Sequence, residues 1–162
     1  MAEELKIAIG GKEKKYETLI SQVESLMYGE ANLIANLANI ASAYQMTFSK
    51  LWVGFYLVDS AANQLVLGPF QGPVACTRIA KGKGVCGLVW VEEKTIIVQN
   101  VNAFPGHIAC SSASVSEIVV PIFDKNQQVL GVLDIDSIIE ADFDEMDKIH
   151  LERIAQLITN TL

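Results

Sequence analysis

The hydrophobic period of this chain changes twice, and each change limits the architectures that can bury it. Tyr16, Leu19, Ile20, Val23 and Leu26/Met27 recur every three to four residues over about 13–28, the stripe of an amphipathic helix. Gly29 interrupts the stripe, and Leu33, Ile34, Leu37, Ile40, Ala41 and Tyr44 resume it, predicting a second helix. At 51–58 the residues become aromatic and β-branched, and 59–63 leads into 64–67, the pattern of a hairpin. The helical period returns over 143–162 through Met146, Ile149, Leu151, Ile154, Leu157 and Ile158. Helices, then strands, then a helix describe an α+β fold around a mostly antiparallel sheet, with two N-terminal helices and one C-terminal helix.

The middle of the chain carries weaker signals. The Gly-Pro-Phe-Gln-Gly-Pro stretch at 68–73 predicts a turn, 74–79 a short strand, and Lys81-Gly-Lys-Gly84 opens a helix over 85–92. After a strand at 95–98, Asn, Pro, Gly and Ser are scattered without period over 99–114, which predicts a long loop of the kind that often carries function. The segments 117–123 and 128–136 flank an Asp-Lys-Asn turn and form a second hairpin.

With 162 residues, 51% of them hydrophobic, the chain is expected to fold as one domain over 1–162, with its core over about 30–160. Acids follow Met1 where a secretory signal carries basic residues, and no apolar run reaches membrane-spanning length, so a cytoplasmic protein with no membrane partner is expected. In that reducing setting three cysteines do not make a permanent disulfide framework. Twelve Lys and Arg against nineteen Asp and Glu leave a net charge of −7, the wrong sign for nucleic acid or an anionic membrane. A small molecule or a protein is the expected partner.

Each cysteine has two readings. Cys86 stands in the first turn after Gly84 with Lys81 and Lys83 nearby, a setting that favours a thiolate. Its neighbours Val85, Leu88, Val89 and Trp90 favour burial as a small hydrophobe more strongly. Cys110 lies in the long polar loop with His107 three residues upstream, a placement as consistent with function as with chance. Cys76, on a predicted strand, reads as a half-buried core residue.

Strand alternation supplies the remaining candidates. Asp134 and Asp136 alternate with Leu133 and Ile135, so both acids share one face; that face is either solvated or a ligand site where an acid with a raised pKa can donate a proton. Glu117, at the start of the neighbouring strand, can join them. Trp52, Gly54 and Tyr56 also share a face, and the missing side chain at Gly54 predicts a slot between two rings for a small apolar group. Without a C-x-x-C or H-x₃₋₅-H pair no metal site is expected. Lys81-Gly-Lys-Gly84 lacks the Walker A order, though amides at a helix start suit a carboxylate. His107 and His150 read as structural.

Taken together, Leu51-Trp-Val-Gly-Phe-Tyr56, Leu67-Gly-Pro-Phe-Gln-Gly72, Gly82-Lys-Gly-Val-Cys-Gly87, Pro105-Gly-His-Ile-Ala-Cys110, Ser116-Glu-Ile-Val-Val-Pro-Ile122 and Gly131-Val-Leu-Asp-Ile-Asp136 closely resemble the free methionine-(R)-sulfoxide reductases, enzymes built on a GAF domain. The resemblance spans about 30–160. It implies that Cys110 attacks the sulfoxide sulfur, that Cys76 resolves the resulting sulfenic acid as a disulfide, and that Cys86 is an auxiliary thiol. It further implies that Glu117, Asp134 and Asp136 hold the sulfoxide oxygen and the substrate amine, and that Trp52 and Tyr56 wall the methyl group. No cofactor is implied beyond an external dithiol, thioredoxin, and a homodimer is implied. Ser111 stands where many relatives carry an acid. The competing expectation is a GAF module that binds a small ligand, or senses redox state, without turnover.

Overall fold

A computed structural model describes residues 4–106 and 112–162. The order of elements is α1 (Lys12–Met27), α2 (Leu33–Phe48), β1 (Trp52–Asp59), β2 (Gln64–Gln71), β3 (Arg78–Ala80), α3 (Gly84–Glu92), β4 (Ile96–Val98), a 3₁₀ turn (Val101–Ala103), β5 (Ser116–Phe123), β6 (Val129–Ser137) and α4 (Glu145–Thr161). The strands make one six-stranded sheet in the order β3-β2-β1-β6-β5-β4, every neighbouring pair antiparallel. The α+β expectation holds. The first and last strands of the chain lie side by side at the centre.

Both faces of the sheet are covered, because β1, β5 and β6 carry apolar residues at odd and even positions alike. Val53 and Phe55, Ile118, Val120 and Ile122, and Leu133 and Ile135 face α1, α2 and α4. Trp52, Tyr56, Val119 and Val132 face the other way, toward Val85, Cys86, Val89 and Trp90 of α3. Burying each such aliphatic or aromatic side chain contributes about 1.5–3 kcal/mol.

Two of the helices, α2 and α4, are capped by side chains at their starts. Asn32 caps α2 by accepting from the Ala35 amide, and Asp144 and Asp147 form a capping box on α4. Asp147 is buried and accepts from the Lys12 ammonium at 2.6 Å and from the Tyr16 hydroxyl at 2.7 Å, tying α1 to α4. With the Asp144 amide of the capping box as a third donor, this buried carboxylate avoids the penalty of an unpaired one.

Two local expectations fail. The predicted turn at 68–73 is largely strand, since β2 runs to Gln71. The register shifts where Gly54 pairs with Phe70 but Tyr56 pairs with Leu67, so Gly68 and Pro69 together oppose Phe55. A bulge tolerates a proline that has no amide to donate. The predicted strand at 74–79 shrinks to Arg78–Ala80. Val74 projects into solvent, and the segment meets β2 only from Thr77 onward, where its carbonyl accepts from the Leu67 amide at 3.0 Å.

Candidate active site

The sheet face beneath α3 gathers most of the residues singled out by the sequence. Register places Asp134 of β6 between Gly54 of β1 and Val119 of β5, and Asp136 between Trp52 and Glu117. Glu117 and Asp136 are thus a direct cross-strand pair of acids, with Asp134 on the diagonal. Like charges so placed destabilise a sheet unless something compensates them. The face is not the solvated one that alternation also allowed: Glu117 is 5% exposed and Asp134 7%, while Asp136 is half-buried. Covering by α3 makes the difference.

Cys86, in the first turn of α3, points down onto these acids. One ligand atom each of Cys86, Glu117 and Asp134 lies within 4.8 Å of the others, and all three residues are buried. Burial, then the nearby Asp136 carboxylate, pushes the Glu117 carboxyl well up from its ordinary range. Burial followed by Asp136 and Glu117 does the same to Asp134. The Cys86 thiol is pushed up by burial and by Asp134 and Glu117, so desolvation overrides the helix terminus and the lysines that favoured a thiolate there. Asp134 and Glu117 are close enough to share a hydrogen bond once one is protonated, and the Cys86 thiol reaches Asp134. Even so, Asp134 Oδ1 has no hydrogen-bond partner among the described residues. The Ser114 hydroxyl donates to Asp136 Oδ1, anchoring the end of the long loop beside the acids.

The aromatic side of the site differs from the predicted slot. A methyl group at Gly54 would lie 2.4 Å from Trp52 Cη2 and 2.4 Å from Phe70 Cβ. The space above Gly54 is therefore taken by the Trp52 indole, which stacks on Phe70 (centroids 5.4 Å, 16°) and on Tyr56 (5.9 Å, 25°). Glycine at this position admits the ring rather than leaving a gap. The polar ends of both rings reach the coil after β2: Trp52 Nε1 donates to the Pro73 carbonyl at 3.1 Å, and the Tyr56 hydroxyl to the Cys76 carbonyl at 3.0 Å. Burial, then Asp134, holds the Tyr56 phenol well above its usual range, so it remains a donor.

Cys76 is half-buried in that coil, not in a strand, and it is disulfide-bonded, whereas Cys86 is a free thiol. Cys110, His107 and Ser111 lie outside the described residues. His150 stacks on Tyr16 at 4.7 Å, between helices and away from the acids. Sequence reasoning missed Phe70, hidden in a stretch read as a turn, and Ser114, a loop serine with no local signal. Among the described residues no helix is long and apolar enough to cross a membrane.

Comparison with known proteins places the fold in a family. The family model for the GAF domain matches residues 33–162. GAF domain-containing protein A of Dictyostelium discoideum is 56% identical over 99% of this chain and 100% of its own length. The free methionine-R-sulfoxide reductase of Saccharomyces cerevisiae is 44% identical over 93% of this chain and 87% of its own. The X-ray structure of free methionine-R-sulfoxide reductase from Neisseria meningitidis in complex with its substrate superposes with a TM-score of 0.95 at 46% identity, covering 98% of this chain and 94% of that one.

Proposed function

The chain belongs to the GAF-domain family of free methionine-R-sulfoxide reductases, and from that membership we propose that it reduces free L-methionine-(R)-sulfoxide to methionine by thiol chemistry between Cys110 and Cys76. The observation that carries the reading is the buried acid cluster of Glu117 and Asp134 with an unsatisfied carboxyl oxygen. It sits beside stacked rings whose hydroxyl and indole amine hold the coil bearing a disulfide-bonded cysteine.

In the proposed cycle the Cys110 thiolate attacks the sulfoxide sulfur. Oxygen transfers to the cysteine as a sulfenic acid, methionine leaves as the thioether, and a buried carboxyl supplies the proton the departing oxygen needs. The Cys76 thiol then condenses with the sulfenic acid, expelling water and forming a disulfide. An external dithiol of the thioredoxin class reopens it and is itself oxidised. The disulfide at Cys76 and the free state of Cys86 support giving resolution to Cys76, since the sequence offers Cys110 as the remaining partner. Glu117, Asp134 and Asp136 take the oxygen and the ammonium of the substrate. Trp52 and Tyr56 flank its methyl group, the stacked indole acting as a wall.

The test is turnover of free L-methionine-(R)-sulfoxide with dithiothreitol. More than one equivalent of methionine per protein is expected, with none from Cys110→Ser. Cys76→Ser keeps the first turnover and loses thioredoxin-supported cycling. A wild-type yield limited to one equivalent or less overturns the enzymatic reading.

A further inference from the structure

We propose that Cys86, Glu117 and Asp134 form a binding site for a thiophilic divalent cation, zinc being the fitting ion, and that its occupancy closes the pocket to substrate. The inhibitory half rests on the reductase reading; the binding half stands on this chain's own geometry.

Three elements bring the ligands together. The first turn of α3 roofs the sheet where β5 and β6 run side by side, so a sulfur comes from above and two carboxylates come from below. Their ligand atoms already lie within 4.8 Å of one another, all buried. Zinc holds sulfur at about 2.3 Å and carboxylate oxygen at about 2.0–2.2 Å, so modest side-chain rotation completes the contacts. Asp134 Oδ1 supplies the independent sign of a missing partner: the residue is 7% exposed and that oxygen accepts no hydrogen bond among the described residues. A buried polar atom left unpaired costs about 1–3 kcal/mol, which a bound cation would remove.

The donor set selects the ion. One thiolate and two carboxylates suit a borderline metal such as zinc. Magnesium and calcium prefer an all-oxygen shell with more ligands, and copper(I) prefers sulfur throughout. Three protein ligands leave a fourth position open for water. Asp136, half-buried at the end of the same acid row, gives an arriving cation a negative path inward. Because Cys86 is free while Cys76 is bonded, the ion would use a thiol that the proposed catalytic disulfide leaves alone. It would nevertheless occupy the carboxylates assigned to substrate.

Zinc binding to the full-length protein, measured by competition against a chromophoric chelator, tests this. Wild type and the Cys76→Ser/Cys110→Ser double variant are each expected to bind one equivalent, and Cys86→Ser to bind at least about tenfold more weakly. Cobalt(II) added in place of zinc should give a sulfur-to-cobalt charge-transfer band that Cys86→Ser loses and the double variant keeps. Should Cys86→Ser misfold, Glu117→Gln serves instead: it keeps the band but weakens the metal. Binding and band that survive Cys86→Ser, or that vanish in the double variant, overturn the site. Zinc bound at Cys86 with undiminished sulfoxide reduction overturns the inhibitory half alone. Failure of all sulfoxide reduction with the cobalt band intact instead counts against the reductase reading.

Discussion

The Tyr56 hydroxyl donates to the carbonyl oxygen of Cys76 at 3.0 Å. A ring fixed in the central strand β1 thereby holds the backbone of the coil that follows β2. Trp52 Nε1 repeats the arrangement three residues earlier in the coil, at Pro73. Two ring side chains of this sheet face thus also fix the coil that carries the resolving thiol of the proposed cycle.

Tyr56→Phe keeps the ring and removes that bond. Net loss of one partly buried hydrogen bond should cost about 1 kcal/mol of stability. The larger effect is expected in cycling: the first methionine forms at the normal rate, while multiple-turnover reduction slows because Cys76 is no longer held. Rapid-quench and steady-state measurements on one preparation check this, and equal slowing of both phases counts against it.

Gly54→Ala places a methyl group 2.4 Å from Trp52 Cη2 and Phe70 Cβ. A stiff ring end and an atom next to the backbone cannot both give way, so overpacking should cost about 1–3 kcal/mol and turn the indole. Denaturant melts and near-ultraviolet circular dichroism read the two consequences; an unchanged spectrum would mean that the indole does not occupy this space.

The periodic segments were legible in the sequence because burial on one or both faces writes itself into spacing. The helices, the two hairpins and the shared face of Asp134 and Asp136 follow from that rule alone. Whether that face was wet was not legible, because the cover is α3, an element distant in the chain from β6. The slot at Gly54 failed for a related reason. Alternation tells which rings share a face, not that an indole lies flat over the glycine between them. Cys76 left its predicted strand because β2 took up 68–71 as ladder, and Val74 and Ala75 were left without a paired neighbour.

Asp134→Asn separates stability from chemistry. It removes one of two crowded buried carboxyls and offers an amide donor to Glu117, so the fold should gain about 1–2 kcal/mol above neutral pH. Sulfoxide reduction should fall by roughly 100-fold or more. Thermal unfolding and turnover of the same variant decide the matter; a drop in both would make Asp134 a structural acid.

Acid should weaken the fold through Asp142. Its burial opposes ionisation, but hydrogen bonds from the Lys50 ammonium and the Ser137 hydroxyl prevail and hold its carboxyl below the usual range. A lowered folded pKa favours the ionised state on folding. That stabilisation is complete above the ordinary carboxylate range, near about pH 4, and is lost as pH falls through the folded value. Lys50→Met should lower the neutral-pH melting temperature and flatten its acid limb; an acid limb parallel to wild type would assign the sensitivity elsewhere.

The pairing of β1 with β6 joins the earliest-made strand to the latest. Trp52 and Tyr56 arrive on one, Asp134 and Asp136 on the other, and this single zipped edge is where they meet. Until β6 has been made and lies against β1, Trp52 and Tyr56 have no acids beside them. In the proposed reductase, rings and acids therefore come together only when the last strand docks on the first.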